Sequence, residues 1–93
     1  MTIWDENKRL ANVAKHEVDF RDLEGLDWGE ALVFEDRRKD YGETRLIALA
    51  PLGARLHVVV YVERGDERRI ISARKANSRE VRFYENETGS SDG

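Results

Sequence analysis

The sequence has no cysteine, which excludes disulfide stapling, a zinc ribbon and thiol chemistry. It has no run of about 18 apolar residues and no apolar signal region at its start, so neither a membrane span nor a secretory leader is read from it. No internal repeat occurs. These absences together point to a reducing, cytoplasmic setting. The chain has 93 residues, the length of one domain. A 40% hydrophobic fraction supplies one modest core, and 38% charged residues give an unusually charged surface.

The net charge of −3 hides an asymmetry. Residues 1–52 carry 8 Lys/Arg against 12 Asp/Glu, whereas residues 53–84 carry 8 against 4. The second half is therefore locally basic, as either a solvated surface or a cationic site for phosphate.

Asp5 reads as the N-cap of a helix running to about His16, with Leu10, Val13 and Ala14 as its buried stripe. A second short helix is expected from Arg21 to Glu24, closed by Gly25. Residues 26–29 read as a loop with one buried aromatic, Trp28. Strands are expected at Ala31 to Glu35, Arg45 to Leu49 (limited by the single proline, Pro51), Leu56 to Val62 and Arg68 to Lys75. Asn77 and Glu80 have the spacing of a capping box for a last helix, with Val81 and Tyr84 on its apolar edge. The domain is read as residues 1–85 and a disordered tail as 86–93.

A two-residue turn at Gly65-Asp66 pairs Glu63 with Arg68, Tyr61 with Ile70 and Val59 with Ser72. One sheet face would then hold Val58, Val60, Val62, Ile71 and Ala73. The other would hold His57, Tyr61, Glu63, Arg68, Ser72 and Arg74. The elements so read are those of an α+β fold class; a small and mostly antiparallel sheet with two N-terminal helices on one face and a short C-terminal helix is what a family resemblance, carried by the segments that follow, implies.

Several segments resemble the BrnT toxin family. Trp4-Asp5, Lys8, Asn12 and Lys15-His16, followed by Val18 and Phe20, are similar to the family's opening. Asp40-Tyr41-Gly42-Glu43 with Arg45 and Ala48-Leu49 resembles its middle motif. Val59-Val60-Tyr61, Glu63-Arg64-Gly65 and Arg69 to Ala76 resemble its last hairpin, and Glu80 and Tyr84 fit its closing helix. The resemblance implies a RelE-like architecture and a growth-arresting endoribonuclease that uses no metal and no cofactor. It also implies neutralisation by a BrnA-type antitoxin with a ribbon-helix-helix part, through which the complex reaches operator DNA.

Metal-free RNA cleavage needs activation of a 2′-hydroxyl, cations for the charge building on phosphorus, and a proton donor for the leaving 5′-oxygen. Lys15 and His16 are candidates for charge stabilisation and proton transfer, or they simply complement a helix C-terminus. Glu63 is a candidate base and Arg64 a phosphate clamp, or they are surface cross-strand partners. Tyr61 is a candidate base-stacking ring or a sheet residue. Arg74 and Lys75 stand at a strand end before a capped helix, where amide donors also favour an anion, and they lead the phosphate ligands ahead of Arg69 and Arg45. His57 reads as a plain surface histidine. The acids of residues 36–43 are interrupted by Arg37, Arg38 and Lys39 and match no calcium loop. A partner-binding module without catalysis is the alternative function. A DNA-binding regulator is disfavoured because no helix-turn-helix pattern or basic helix is present.

Overall fold

The computed structural model describes residues 2–38 and 40–89. Five strands, β1 (Thr2–Trp4), β2 (Leu32–Asp36), β3 (Arg45–Leu52), β4 (Arg55–Arg64) and β5 (Glu67–Lys75), form one sheet in the order β1-β5-β4-β3-β2. Only β1 runs parallel to its neighbour, β5; the other pairs are antiparallel. The hairpins turn on Gly53 and Gly65, whose φ angles of 61° and 59° at the first loop position suit a glycine-initiated two-residue turn. The apolar start of the chain is thus a strand, and β3 continues through Pro51 to Leu52. The proline is tolerated because β2 stops at the Leu32–Leu49 pair. Beyond it, the outward edge of Pro51 has only to supply an acceptor, and its carbonyl accepts from the Asp27 amide at 2.9 Å.

The β4–β5 pairing follows the expected register from Arg64–Glu67 to Tyr61–Ile70, then shifts. Val60 pairs with Ser72 and Val59 with Ala73, so Ile71 is an extra residue in β5. Such a bulge reverses the facing of everything beyond it. Tyr61, Val59, Ile70 and Ala73 therefore share one face, while Val58, Val60, Ser72 and Arg74 share the other. The expected division into one apolar and one titratable face is corrected: both faces carry an apolar core, and the second is covered only in part.

Over the first face lie two 3-10 turns, Phe20–Gly25 and Trp28–Glu30. They place Val18, Phe20, Leu23 and Leu26 against Ala48, Ala50, Val59, Tyr61, Ile70 and Ala73. Fully burying a side chain such as Phe20 or Leu23 stabilises by about 1.5–3 kcal/mol. Against the second face packs α2 (Ser78–Thr88), where Tyr84 and Val81 meet Leu49, Val58 and Leu56. The Tyr84 hydroxyl donates to the Glu30 carbonyl at 2.6 Å, tying α2 to the chain just before β2. The predicted capping box is present: Asn77 accepts from the Glu80 amide at 2.8 Å and Glu80 from the Asn77 amide at 2.9 Å. α2 runs past residue 85 to Thr88, and residues 90–93 of the expected tail lie outside the described residues.

The first helix, α1 (Glu6–His16), is capped by Asp5 as expected, but its buried stripe is not the one expected. Leu10 is 53% and Val13 36% exposed, and Ala14 is also exposed. The buried side chain is Asn12. The reason is position: α1 closes the edge of β5 instead of lying across a sheet face. β1 stops pairing at Trp4–Ile70, which leaves the Ala73 peptide groups open. The Asn12 amide fills that gap like one more peptide unit. It accepts from the Ala73 amide at 3.1 Å and donates to the Ala73 and Val18 carbonyls, both at 2.8 Å. Two N-terminal helices stacked on one face are therefore not observed. No helix among the described residues is long and apolar enough to cross a membrane.

Candidate functional site

α1 ends beside the bulged strand, so its last residues, Lys15 and His16, reach the face that carries Ser72 and Arg74. Together these four residues line a cleft of about 570 Å³. Its floor is apolar, built by Ile47 and Leu49 of β3 and Val58 and Val60 of β4. Phe34 and Arg38 wall one side, and the first turns of α2 wall another with Arg79, Glu80 and Phe83. A smaller recess of about 180 Å³ shares Lys15, His16 and Ser72 and extends under α1 to Asn12.

Among the described lining residues Lys15, Arg38, Arg74 and Arg79 are permanent cations and Glu80 is a carboxylate; counting Asp36, which bonds to Arg38 beside the cleft, the cations still outnumber the carboxylates four to two. A cleft so lined attracts an anion although the whole chain is acidic. Arg74 does not point at open helix amides, as the sequence suggested. Its guanidinium forms a two-pronged bond with Glu80, at 2.8 and 2.7 Å, and touches the Lys75 carbonyl at 3.3 Å. Glu80 thus serves two groups at once, the α2 cap and the arginine. The hydrogen bond from Arg74 holds the Glu80 carboxyl below its usual range, so it is an ionised acceptor and no proton donor at neutral pH. Arg38 is fixed in the same manner. Its Nε and Nη2 both bond to Asp36 at 2.8 Å, and Tyr41 donates to the same carboxylate at 3.1 Å. That bonding holds Asp36 well below the ordinary carboxylate value. Two arginines are therefore set by bidentate partners while His16 supplies a ring that both donates and accepts.

The other sequence candidates lie elsewhere. Tyr61 is 2% exposed in the first-face core, its ring edge-on to Trp28 with centroids 5.1 Å apart, so no base reaches it in this conformation. Burial pushes its phenol pKa up. Glu63 and Arg64 sit at the exposed tip of the β4–β5 hairpin, where Arg64 bonds to Glu43 at 2.7 Å. Arg68, the cross-strand partner of Glu63, lays its guanidinium 3.9 Å above the Trp28 ring. Arg69 is exposed beside β1 and Lys75 exposed opposite His57, outside the cleft. Arg45 stacks on Tyr41 at 4.0 Å. His57 is buried, not on the surface, with Nδ1 2.9 Å from the Arg55 carbonyl. Among the described residues, no group of three or more His, Cys, Asp and Glu side chains is placed to hold a metal ion.

Sequence reasoning missed Phe34, Arg38, Ser72 as a cleft residue, Arg79 and Phe83. One signal was available. α2 carries Phe83 besides Val81 and Tyr84, one more large apolar side chain than a single narrow buried edge requires.

Comparison with known proteins adds the following. A family model described as "Ribonuclease toxin, BrnT, of type II toxin-antitoxin system" matches residues 4–80. The crystal structure of the Brucella abortus ribonuclease toxin, BrnT, superimposes with a TM-score of 0.67 at 34% sequence identity, covering 84% of this chain and 99% of that one. No curated protein matches the chain.

Proposed function

This chain belongs to the BrnT family of ribonuclease toxins of type II toxin–antitoxin systems, and we propose that it cleaves RNA without metal in the cleft between α1, β5 and α2. The observation that carries the reading is the convergence of Lys15, His16 and Arg74 on one apolar-floored, cation-rimmed cavity. In this reading the scissile phosphate sits against Arg74, with Lys15 sharing the growing negative charge. A planar guanidinium matches phosphate oxygens, and the low-polarity floor strengthens its field. His16 serves one end of the proton transfer and water the other: if the ring takes the 2′-hydroxyl proton, water protonates the departing 5′-oxygen, and if the protonated ring gives its proton to the 5′-oxygen, water accepts that of the 2′-hydroxyl. Each step closes its own balance: the 2′-oxygen–phosphorus bond forms as the phosphorus–5′-oxygen bond breaks, and a cyclic phosphate with a free 5′-hydroxyl results.

The partner in this reading is an antitoxin of the ribbon-helix-helix, BrnA type, acting in the cytoplasm. Purified chain freed of antitoxin is expected to cut single-stranded RNA in excess EDTA. Loss of cleavage on chelation, restored by a divalent ion, would overturn the metal-free mechanism.

A further inference from the structure

Two phenylalanines stand at the rim of this cleft, and the proposed proton and phosphate chemistry uses neither. Phe34 comes from the edge strand β2 and Phe83 from α2. They are 42% and 46% exposed, whereas Phe20 and Tyr61 are at most 2% exposed in the core. Their rings meet edge to face, with centroids 6.4 Å apart and planes at 80°. This gives a perpendicular aromatic corner, open on the cleft side.

We propose that this corner is a stacking subsite for one unpaired nucleobase of the RNA, and this rests on the ribonuclease reading above. Charge selects the occupant. The corner shares its cleft with Lys15 and Arg79 and with Arg38 and Arg74, the last two each oriented by a carboxylate, a net positive lining that suits a phosphate backbone on either side of a flat apolar base. An acidic peptide would satisfy the cations and leave the two rings without a flat partner. Phenylalanine has no hydrogen-bonding atom, so the subsite recognises the face of a base and not its edge. It therefore ranks bases by stacking area, purines ahead of pyrimidines, with little further sequence readout. It also requires a single strand, because a base inside a duplex has both faces covered by the base pairs stacked above and below it.

The test uses a single-stranded oligonucleotide with 2′-fluoro sugars throughout. It lacks the nucleophilic hydroxyl and so reports binding alone. Phe34→Leu and Phe83→Leu keep apolar volume and remove the π-face. Each is expected to weaken binding by about 5- to 150-fold, the effect of losing one base–aromatic stack, with the melting temperature unchanged. Phe34→Trp should restore the affinity. An abasic scan of the oligonucleotide should find one position whose loss weakens wild-type binding by the same factor and leaves Phe34→Leu unaffected. If Phe83→Leu loosens α2, Phe34→Leu on the edge strand and the abasic scan still decide.

Wild-type affinity in both leucine variants, with wild-type chain still cutting RNA, overturns the subsite and spares the ribonuclease reading. So does unchanged RNA affinity combined with loss of antitoxin binding, which would make the corner a protein-docking patch. Wild-type chain that neither binds nor cuts RNA brings both readings down.

Discussion

Asn12→Ala removes the side chain that joins α1 to the sheet, and its cost follows from the geometry. Asn12 is 6% exposed and makes three hydrogen bonds, at 2.8, 2.8 and 3.1 Å. At about 0.5–1.5 kcal/mol each, their loss amounts to roughly 3 kcal/mol. The Ala73 amide is left buried without an acceptor, which moves the figure toward the top of its range. Total stability for a domain of this size is about 5–15 kcal/mol, so the loss is a large fraction of it. At about 4–8 °C per kcal/mol, melting should fall by roughly 12–24 °C, read by circular dichroism. Asn12→Asp keeps the shape and the bond from the Ala73 amide but turns a carboxylate toward two carbonyl oxygens. It should melt lower at pH 7 than at pH 4, where protonation restores one donor. RNA cleavage should fall with stability, because Lys15 and His16 are the next turn of the same helix. A melting temperature for Asn12→Ala within about 3 °C of wild type would refute the claim that this amide holds α1 in place.

Other outcomes follow from the same contacts. Arg74→Ala and His16→Ala should each lower RNA cleavage by about 10²–10³-fold at wild-type melting temperature; a folded variant that cuts at the wild-type rate removes that residue from the mechanism. Glu17 ends α1 in the left-handed region, at φ 59°. Glu17→Gly should therefore stabilise by about 0.5–1 kcal/mol in denaturant titration, the steric relief exceeding glycine's entropy cost; a lower midpoint would show that the carboxylate has a role of its own. Asp19 is held down to about 2 from 3.8, chiefly by its side-chain bond from Arg21. A carboxyl with a depressed folded pKa contributes stability above its unfolded value, and that contribution disappears as pH falls through the folded one. Stability should thus stay level above about pH 5 and drop between 4 and 2, and Asp19→Asn should flatten part of that drop; an identical profile for the variant would refute the assignment.

Features set by neighbours in the chain are legible in the sequence itself. The Asp5 cap, the Asn77–Glu80 capping box, the Gly65-Asp66 turn and the pairing as far as Tyr61–Ile70 each depend on a few adjacent residues with fixed geometry. Arg74 is legible as a site candidate for a related reason: it lies at the end of an element, and element ends can be located from caps and turns. Lys15 and His16 read from the sequence alone as helix-end cations and become candidates only through the family resemblance.

Tertiary structure alone decides what these pieces face. One extra residue, Ile71, moves Ser72 and Arg74 to the opposite face of the sheet, and no local rule places a bulge there. The buried stripe of α1 escapes the sequence pattern because apolar periodicity assumes that a helix lies on a hydrophobic surface. α1 instead meets the polar edge of β5, which needs an amide such as Asn12 and leaves Leu10 and Val13 outside. Tyr61 and His57 have side chains that suit either a surface or a core, and the layer packed above them places both inside. The cleft is decided in the same way. Phe34, Arg38 and Phe83 come from β2, the segment after it and α2, and only the closing of α2 on the second face brings them beside Arg74.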